Sequence, residues 1–595
     1  MIGDLHTAAL VSRNASIDWL CMPRFDSPAC FAAMLGGEQN GHWQLSPSQP
    51  VLESSRRYLP GTLILETRFD TETGSALVLD FMPPSNGLAD LVRIVRGVKG
   101  TVAFSMALRI RADYGRAIPW VRHIEDGIAA VTGPDAVYVR ADVALTGRDH
   151  ATTADFTVEA GADVSFVLTW NESHRDEPPR TDPAAALERT QAFWSDWLSG
   201  CQYTGRWTEE VHRSLITLKA LTYLPTGGTV AAATTSLPEQ PGGERNWDYR
   251  YCWLRDSTFT LEALVSCGYT NEAAAWRHWL LRAVGGDPDE LQVLYTVDGA
   301  RRIPEQELDW LSGFAGSTPV RVGNSAAAQF QLDIFGEVLD TLELARIAGI
   351  TEHPERKDAT EAVDSAWGLQ RLLCESVGRR WEQPDDGLWE IRGERRHFVH
   401  SKMMAWVSFD RMVQGVERHG LDGPVEAWRE TRDRIHAEVC ARGMDSTGQH
   451  FVQSYGNDKL DAALLLLGRV GFLPWDDPRI RATVRAVRET LSDEEGFVRR
   501  YLDDGDASED GVPGTEGSFL ACSFWMVDAL GGIGEQAEAE KLFTKLLGVT
   551  NDVGLIAEEV DQKTGALWGN IPQAYSHVGL INAARRLQGS GVNRC

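Results

Sequence analysis

The feature that most constrains this chain is a change in the period of its hydrophobic pattern. Up to about residue 175, apolar and polar side chains alternate in short runs: TLILETRF at 62–69, SALVLDF at 75–81, LVRIVRGV at 91–98 and VSFVLTW at 164–170. They are rich in β-branched residues and separated by Gly, Pro, Asp and Asn, the pattern of an antiparallel β-sandwich. From about residue 207 the apolar spacing becomes helical. Twelve helices are expected, near 207–225, 256–268, 271–284, 324–348, 355–376, 399–418, 424–441, 458–469, 477–491, 517–531, 535–547 and 572–588. Between the two regions, a polar, Pro-rich stretch at 171–182 reads as a linker, and 183–198 reads as a joining helix. The expected division is a β-sandwich over 1–175, a helical linker over 176–204 and a helical domain over 205–595.

The connections between the twelve helices alternate in length, with every second one running to about 15 to 40 residues and those between to about 2 to 7. Antiparallel helices joined this way close naturally into an (α/α)6 barrel, with all the long connections at one end. The even-numbered helices are the more apolar and form the expected inner ring. Long loops in a compact domain are commonly functional, so the site is expected at that end.

Three of those loops carry chemistry. The stretch RNWDYRYCWLRD, Arg245 to Asp256, interleaves guanidinium and carboxylate groups with flat rings, just before a helix. That suits a sugar, whose hydroxyls need paired donors and acceptors and whose C–H faces pack on aromatics. The competing reading is a structural ion-pair cluster at a helix N-terminus, with Asp256 favoured there by the dipole. A second loop, 381–398, presents Asp385, Asp386, Glu390 and Glu394 among Trp and Arg; a third contains Glu558 and Glu559. Glycosidic cleavage needs one carboxylic acid to protonate the leaving oxygen and a second carboxylate to attack or to activate water. Glu390, between Leu388, Trp389 and Ile391, has the apolar flanks that favour a protonated acid, and Glu558 is its expected partner. Trp247, Trp253 and Trp389 lie in the same loops, where Trp near acids favours sugar stacking.

Charge narrows the substrate. With 85 acidic and 58 basic residues the net charge is -27, which repels nucleic acid, anionic membrane and polyanionic substrates. Nine cysteines without CxxC pairs or close Cys/His spacing read as reduced thiols, with no metal site and no cofactor expected. No apolar run reaches the roughly 18 residues of a membrane span, and the first residues do not read as a secretion signal. A cytoplasmic protein with a small-molecule substrate is expected, with room for a homo-oligomer.

Taken together, IGD at 2–4, ASIDWLCMPRFDS at 15–27, RNWDYRYCWLRD, DGLWEIR at 386–392, HSKMMAW at 400–406, EGSF at 516–519 and AEE at 557–559 give the chain a specific resemblance to glycoside hydrolase family 15. That family comprises glucoamylases, glucodextranases and bacterial or archaeal trehalases. The resemblance implies a β-sandwich, a linker and an (α/α)6 catalytic barrel, and inverting hydrolysis of a terminal α-glucosyl bond. It places the general acid on Glu390 and the general base on Glu558, with Glu559 the alternative. Arg255 and Asp256, beside Trp253, would grip the terminal glucose; Trp247, Trp389, Arg392 and Lys402 complete the expected substrate contacts. The form WEIRG is similar to that of the trehalase branch, which makes trehalose the first expected substrate and an α-1,4- or α-1,6-glucooligosaccharide the alternative. A sugar phosphorylase would have no use for Glu558, and a non-catalytic sugar-binding protein would have lost one of the two acids.

Overall fold

The structure is a computed structural model that describes residues 1–84, 88–350, 359–502 and 510–589. Its N-terminal part is built on the strand Ala89–Arg109, which crosses from one layer of sheet into another. The first half of this strand pairs with Gly74–Phe81 and Asp163–Glu172, the second with His42–Pro47 and Ala151–Glu159, all antiparallel. Residues 98–101, at the crossing, are exposed. Gly100 makes the bend there with φ 63°, and a Cβ on it would lie 2.1 Å from the Thr73 carbonyl oxygen. The layers meet face to face where Phe166 packs on Trp43 and Phe156, with ring centroids 6.4 and 5.6 Å apart. Among these apolar side chains Arg93 is fully buried, and Asp80 at 2.7 Å and the Trp43 and Ala15 carbonyls satisfy its guanidinium. A buried charge is tolerated only when paired and hydrogen-bonded in this way.

The helix Pro183–Ser199 follows. Its start is set by Pro183 and by Asp182, whose carboxylate accepts from the Ala184 and Ala185 backbone N–H groups. Beyond it, contacts between helices close a circuit. Ser257–Ser266 packs on Asp333–Ile347, and that helix on Val399–His419. Next come the short consecutive turns Ala462–Leu465 and Leu466–Arg469, then Leu520–Gly532 and Ala574–Leu587, which returns to Ser257–Ser266. Asp333 to Ala345 and Leu520 to Leu530 are buried on every side. Helices outside the circuit bury one stripe: in Val425–Arg442 only Trp428, Ile435 and Val439 are buried. No parallel strand pair occurs among the described residues of this half.

Several expected boundaries move. The helix expected over 324–348 begins at Asp333. Before it, Asn324 caps a 3-10 turn, Ser325–Ala328, the chain is extended at Gln329, and residues 329–332 bond with the loop at 385–391. The helix expected over 355–376 is described from Ala359 to Arg380, and its first residues, 355–358, lie outside the described residues. No described helix is long and apolar enough to cross a membrane.

Candidate active site

One pocket draws its walls from segments that lead into the circuit helices: Arg255 and Asp256 before Ser257, Gln329 before Asp333, Trp389, Glu390 and Arg392 before Val399, Phe519 before Leu520, and Gln573 before Ala574. The N-termini of Ser257–Ser266, Leu520–Gly532 and Ala574–Leu587 therefore face one place, where their dipoles favour negative charge.

Glu390 projects from the turn that its own N–H closes on the Gly387 carbonyl. Its backbone is left-handed, with φ 59°, a conformation that costs a non-glycine residue about 1–3 kcal/mol. Leu388 and Ile391 on either side of Trp389 and Glu390 are buried, but the Glu390 carboxylate leaves that apolar surround for polar company. The Trp253 indole N–H donates to it at 2.6 Å and Arg255 at 3.3 Å. Arg255 also donates to the Leu388 carbonyl at 2.8 Å and to Asp256 at 3.2 Å. Burial works against the Arg255 cation, yet Asp256 and Glu390 raise its pKa. Burial raises the Asp256 pKa, with Arg255 opposing.

Glu558 stands one side chain behind the lining and is fully buried. The Tyr249 hydroxyl, part of the wall, donates to it at 2.6 Å. Tyr249 and Trp253 meet edge to face, with centroids 5.3 Å apart. Two touching rings thus connect Glu558 to Glu390. Burial, reinforced by the Glu239 charge, pushes the Glu558 carboxyl up to about 8, against the Tyr249 hydrogen bond and Arg500. Gly569 leaves room for it: at φ 74°, a Cβ there would lie 2.5 Å from the Glu558 Oε2. Glu559 accepts from the Gly517 N–H at 2.7 Å and lies 3.9 Å from the wall residue Arg500.

Of the other expected contacts, Trp247, Trp253, Trp389 and Arg392 all line the pocket. Trp389 is fixed by Asp461, which accepts from its indole at 2.9 Å, and Arg392 lies over the Trp247 ring at 4.4 Å. Lys402 is not brought there. It is fully buried, and its ammonium ties down the Trp381 and Gln383 carbonyls, both at 2.5 Å. Burial lowers its pKa to about 8.

The loop Arg245–Asp256 divides its work. Asp248 and Arg250 form a fully buried pair at 2.6 Å that faces the β-sheet part, where Arg250 also reaches the Ser27 carbonyl and the Tyr114 hydroxyl. Arg245, Trp247, Tyr249, Trp253, Arg255 and Asp256 line the pocket. Glu239, Arg500, Tyr249 and Gln329 are wall residues that sequence reasoning missed. Only Tyr249 sat inside a motif already singled out. Glu239 accepts from Trp247 and from Arg500, each at 3.0 Å, so it organises the wall. Glu239, Glu516 and Glu559 bring one oxygen each within 4.8 Å of one another, as a cation site would. The Arg500 guanidinium already stands among them, donating to Glu239 and Glu516 and 3.9 Å from Glu559.

The description Glycosyl hydrolases family 15 matches residues 205–585, and Trehalase-like, N-terminal matches residues 1–194. The chain is 39% identical to a trehalase of Mycobacterium tuberculosis, an alignment that covers 98% of this chain and 88% of that one. It is 32% identical to a trehalase of Thermoplasma acidophilum, covering 98% and 99% of the two chains. A solved bacterial glucoamylase complexed with acarbose shares the fold, with a TM-score of 0.71 over 99% of this chain and 93% of that one at 12% identity.

Proposed function

This chain belongs to the glycosyl hydrolases of family 15, and from that footing we propose that it is an inverting, exo-acting trehalase. The observation that carries the reading is the link between Glu390 in the pocket wall and Glu558 just behind it, from loops 168 residues apart, through the touching rings of Trp253 and Tyr249. The trehalase relatives match along nearly the whole chain, which supports trehalose as the substrate. The closed circuit of alternate helices supports an (α/α)6 barrel over 205–595, after a β-sandwich over 1–175 and a linker over 176–204.

In this mechanism Arg255 and Asp256 hold adjacent hydroxyls of one glucose, and Trp253 and Trp389 pack beside it. Glu390 gives its proton to the glycosidic oxygen as the bond from that oxygen to the anomeric carbon breaks. Trp253 and Arg255 then stabilise the carboxylate left behind. Ionised Glu558 takes a proton from a water attacking the same carbon from the opposite face. A raised pKa makes Glu558 a stronger proton acceptor and reduces the fraction ionised at a given pH.

Glucose release from trehalose, maltose, isomaltose and longer glucans tests the substrate. Trehalose is expected to be turned over with the highest kcat/KM. Preference for maltose or a longer glucan would move the chain to the glucoamylase type, and turnover that needs phosphate and yields glucose 1-phosphate would make it a phosphorylase.

A further inference from the structure

We propose that Gln329, oriented by Gln331, is the positioning residue that holds Glu390 in its left-handed backbone conformation and so aims the acid at the glycosidic oxygen. The inference rests on the reading of Glu390 as the general acid. The Gln329 side-chain amide donates to two successive carbonyls, Glu390 O at 3.1 Å and Ile391 O at 3.0 Å. Successive carbonyls of an extended chain point to opposite sides; here both converge on one nitrogen, so the amide fixes the peptide planes on the C-terminal side of the strained residue. From the other side the Glu390 N–H closes on Gly387 O at 3.2 Å.

The amide cannot turn freely. Gln331 is fully buried, and its own amide donates to the Gln329 oxygen at 3.0 Å, leaving the Gln329 nitrogen directed at the loop. The backbone between them is pinned to the same loop. Phe330 N–H donates to the Asp386 carboxylate at 2.8 Å, Asp386 N–H to Phe330 O at 2.9 Å, and Leu332 N–H to the Asp385 carboxylate at 3.0 Å. Residues 329–332 thus form a cradle along 385–391, in the place where the sequence pattern continues as helix. Strained residues persist only where their surroundings over-determine them, and this cradle is what does so for Glu390.

Gln329 also lines the pocket and could touch substrate, whereas Gln331 does not line it. That difference makes the proposal testable. Gln329→Met keeps the length and removes both donors; Gln331→Met frees the amide without altering the wall. The measurements are kcat and KM for trehalose, whose leaving group needs a proton, and for α-glucosyl fluoride, whose leaving group needs little. Gln329→Met is expected to lower kcat for trehalose about 10- to 100-fold, since small misplacements of a catalytic group cost that much. Its kcat for the fluoride should change by less than about threefold. Gln331→Met should show a smaller loss with the same split, and the double variant should be no worse than Gln329→Met, because the two act in one chain. Gln329→Glu, which turns an acceptor toward the two carbonyls, should widen the split.

Equal loss on both substrates would overturn the proposal, as would no loss on either. A raised KM for trehalose in Gln329→Met, with Gln331→Met silent, would make Gln329 a substrate contact instead. Glu390→Gln measured alongside separates the two levels: if it fails to lose trehalose activity, or loses both substrates, the reading of Glu390 as the acid fails first.

Discussion

Glu390 and Glu558 differ most in their access to solvent: the Glu390 side chain is 21% exposed, while Glu558 is fully buried. An acid that must reach an incoming bond needs the first condition, and a base that must compete for a proton gains from the second. Glu390→Gln should lose trehalose hydrolysis yet retain turnover of α-glucosyl fluoride, and Glu558→Gln should lose both, since the fluoride still needs an activated water. Activity in Glu558→Gln with none in Glu559→Gln would move the base one residue on. Tyr249 adds a prediction with a sign. Its hydrogen bond favours the ionised form of Glu558, so Tyr249→Phe should raise the pKa of the base. With less base ionised at any given pH, the acid limb of kcat/KM should move to higher pH; a limb that stayed in place or moved to lower pH would dissociate Tyr249 from the base.

At the scale of elements, the helix Val399–His419 stabilises the loop that carries Glu390. Lys402 does this by satisfying two carbonyls of the segment that enters that loop. Lys402→Met should leave both without a charged donor and destabilise the protein by about 2 kcal/mol or more, read as a lower Tm, with KM for trehalose unchanged. A raised KM at unchanged Tm would restore Lys402 as a substrate contact. The sequence pattern marked Lys402 because it sits in a motif beside catalytic ones; nothing in a sequence tells which way a helical side chain points when its whole helix is buried. Periodicity, by contrast, located most of the circuit helices, because burial on one face or on all faces is written in every turn, though the helix expected over 458–469 is reduced to the short turns Ala462–Leu465 and Leu466–Arg469. It failed at 324–332, where apolar residues at helical spacing continue through a segment whose backbone bonds to a loop more than fifty residues away. Glu239 and Arg500 were invisible for a related reason: an isolated Glu or Arg in a loop looks solvated until the fold brings their charges together.

Across the whole molecule, the loop Arg245–Asp256 joins the two halves. Its Asp248–Arg250 pair is fixed against Ser27 and Tyr114, and the Trp19 indole donates to Ala233 O at 2.8 Å, so the β-sheet part braces the base of the pocket wall. The same loop then presents Trp253, Arg255 and Asp256 to the pocket. That arrangement explains why the stretch fitted both a structural and a functional reading: it is buried ion pair on one side and pocket on the other. In the proposed mechanism water attacks from the face opposite the scissile oxygen, and trehalose reports on it directly because its two glucose units share one oxygen. Inversion releases one as β-glucose, while the other leaves with its anomeric carbon–oxygen bond intact as α-glucose. Proton NMR of the anomeric signals in the first moments of turnover, before mutarotation, should therefore show β- and α-glucose in equal amounts; α-glucose alone would mean retention and would contradict the assignment of Glu558 as the base.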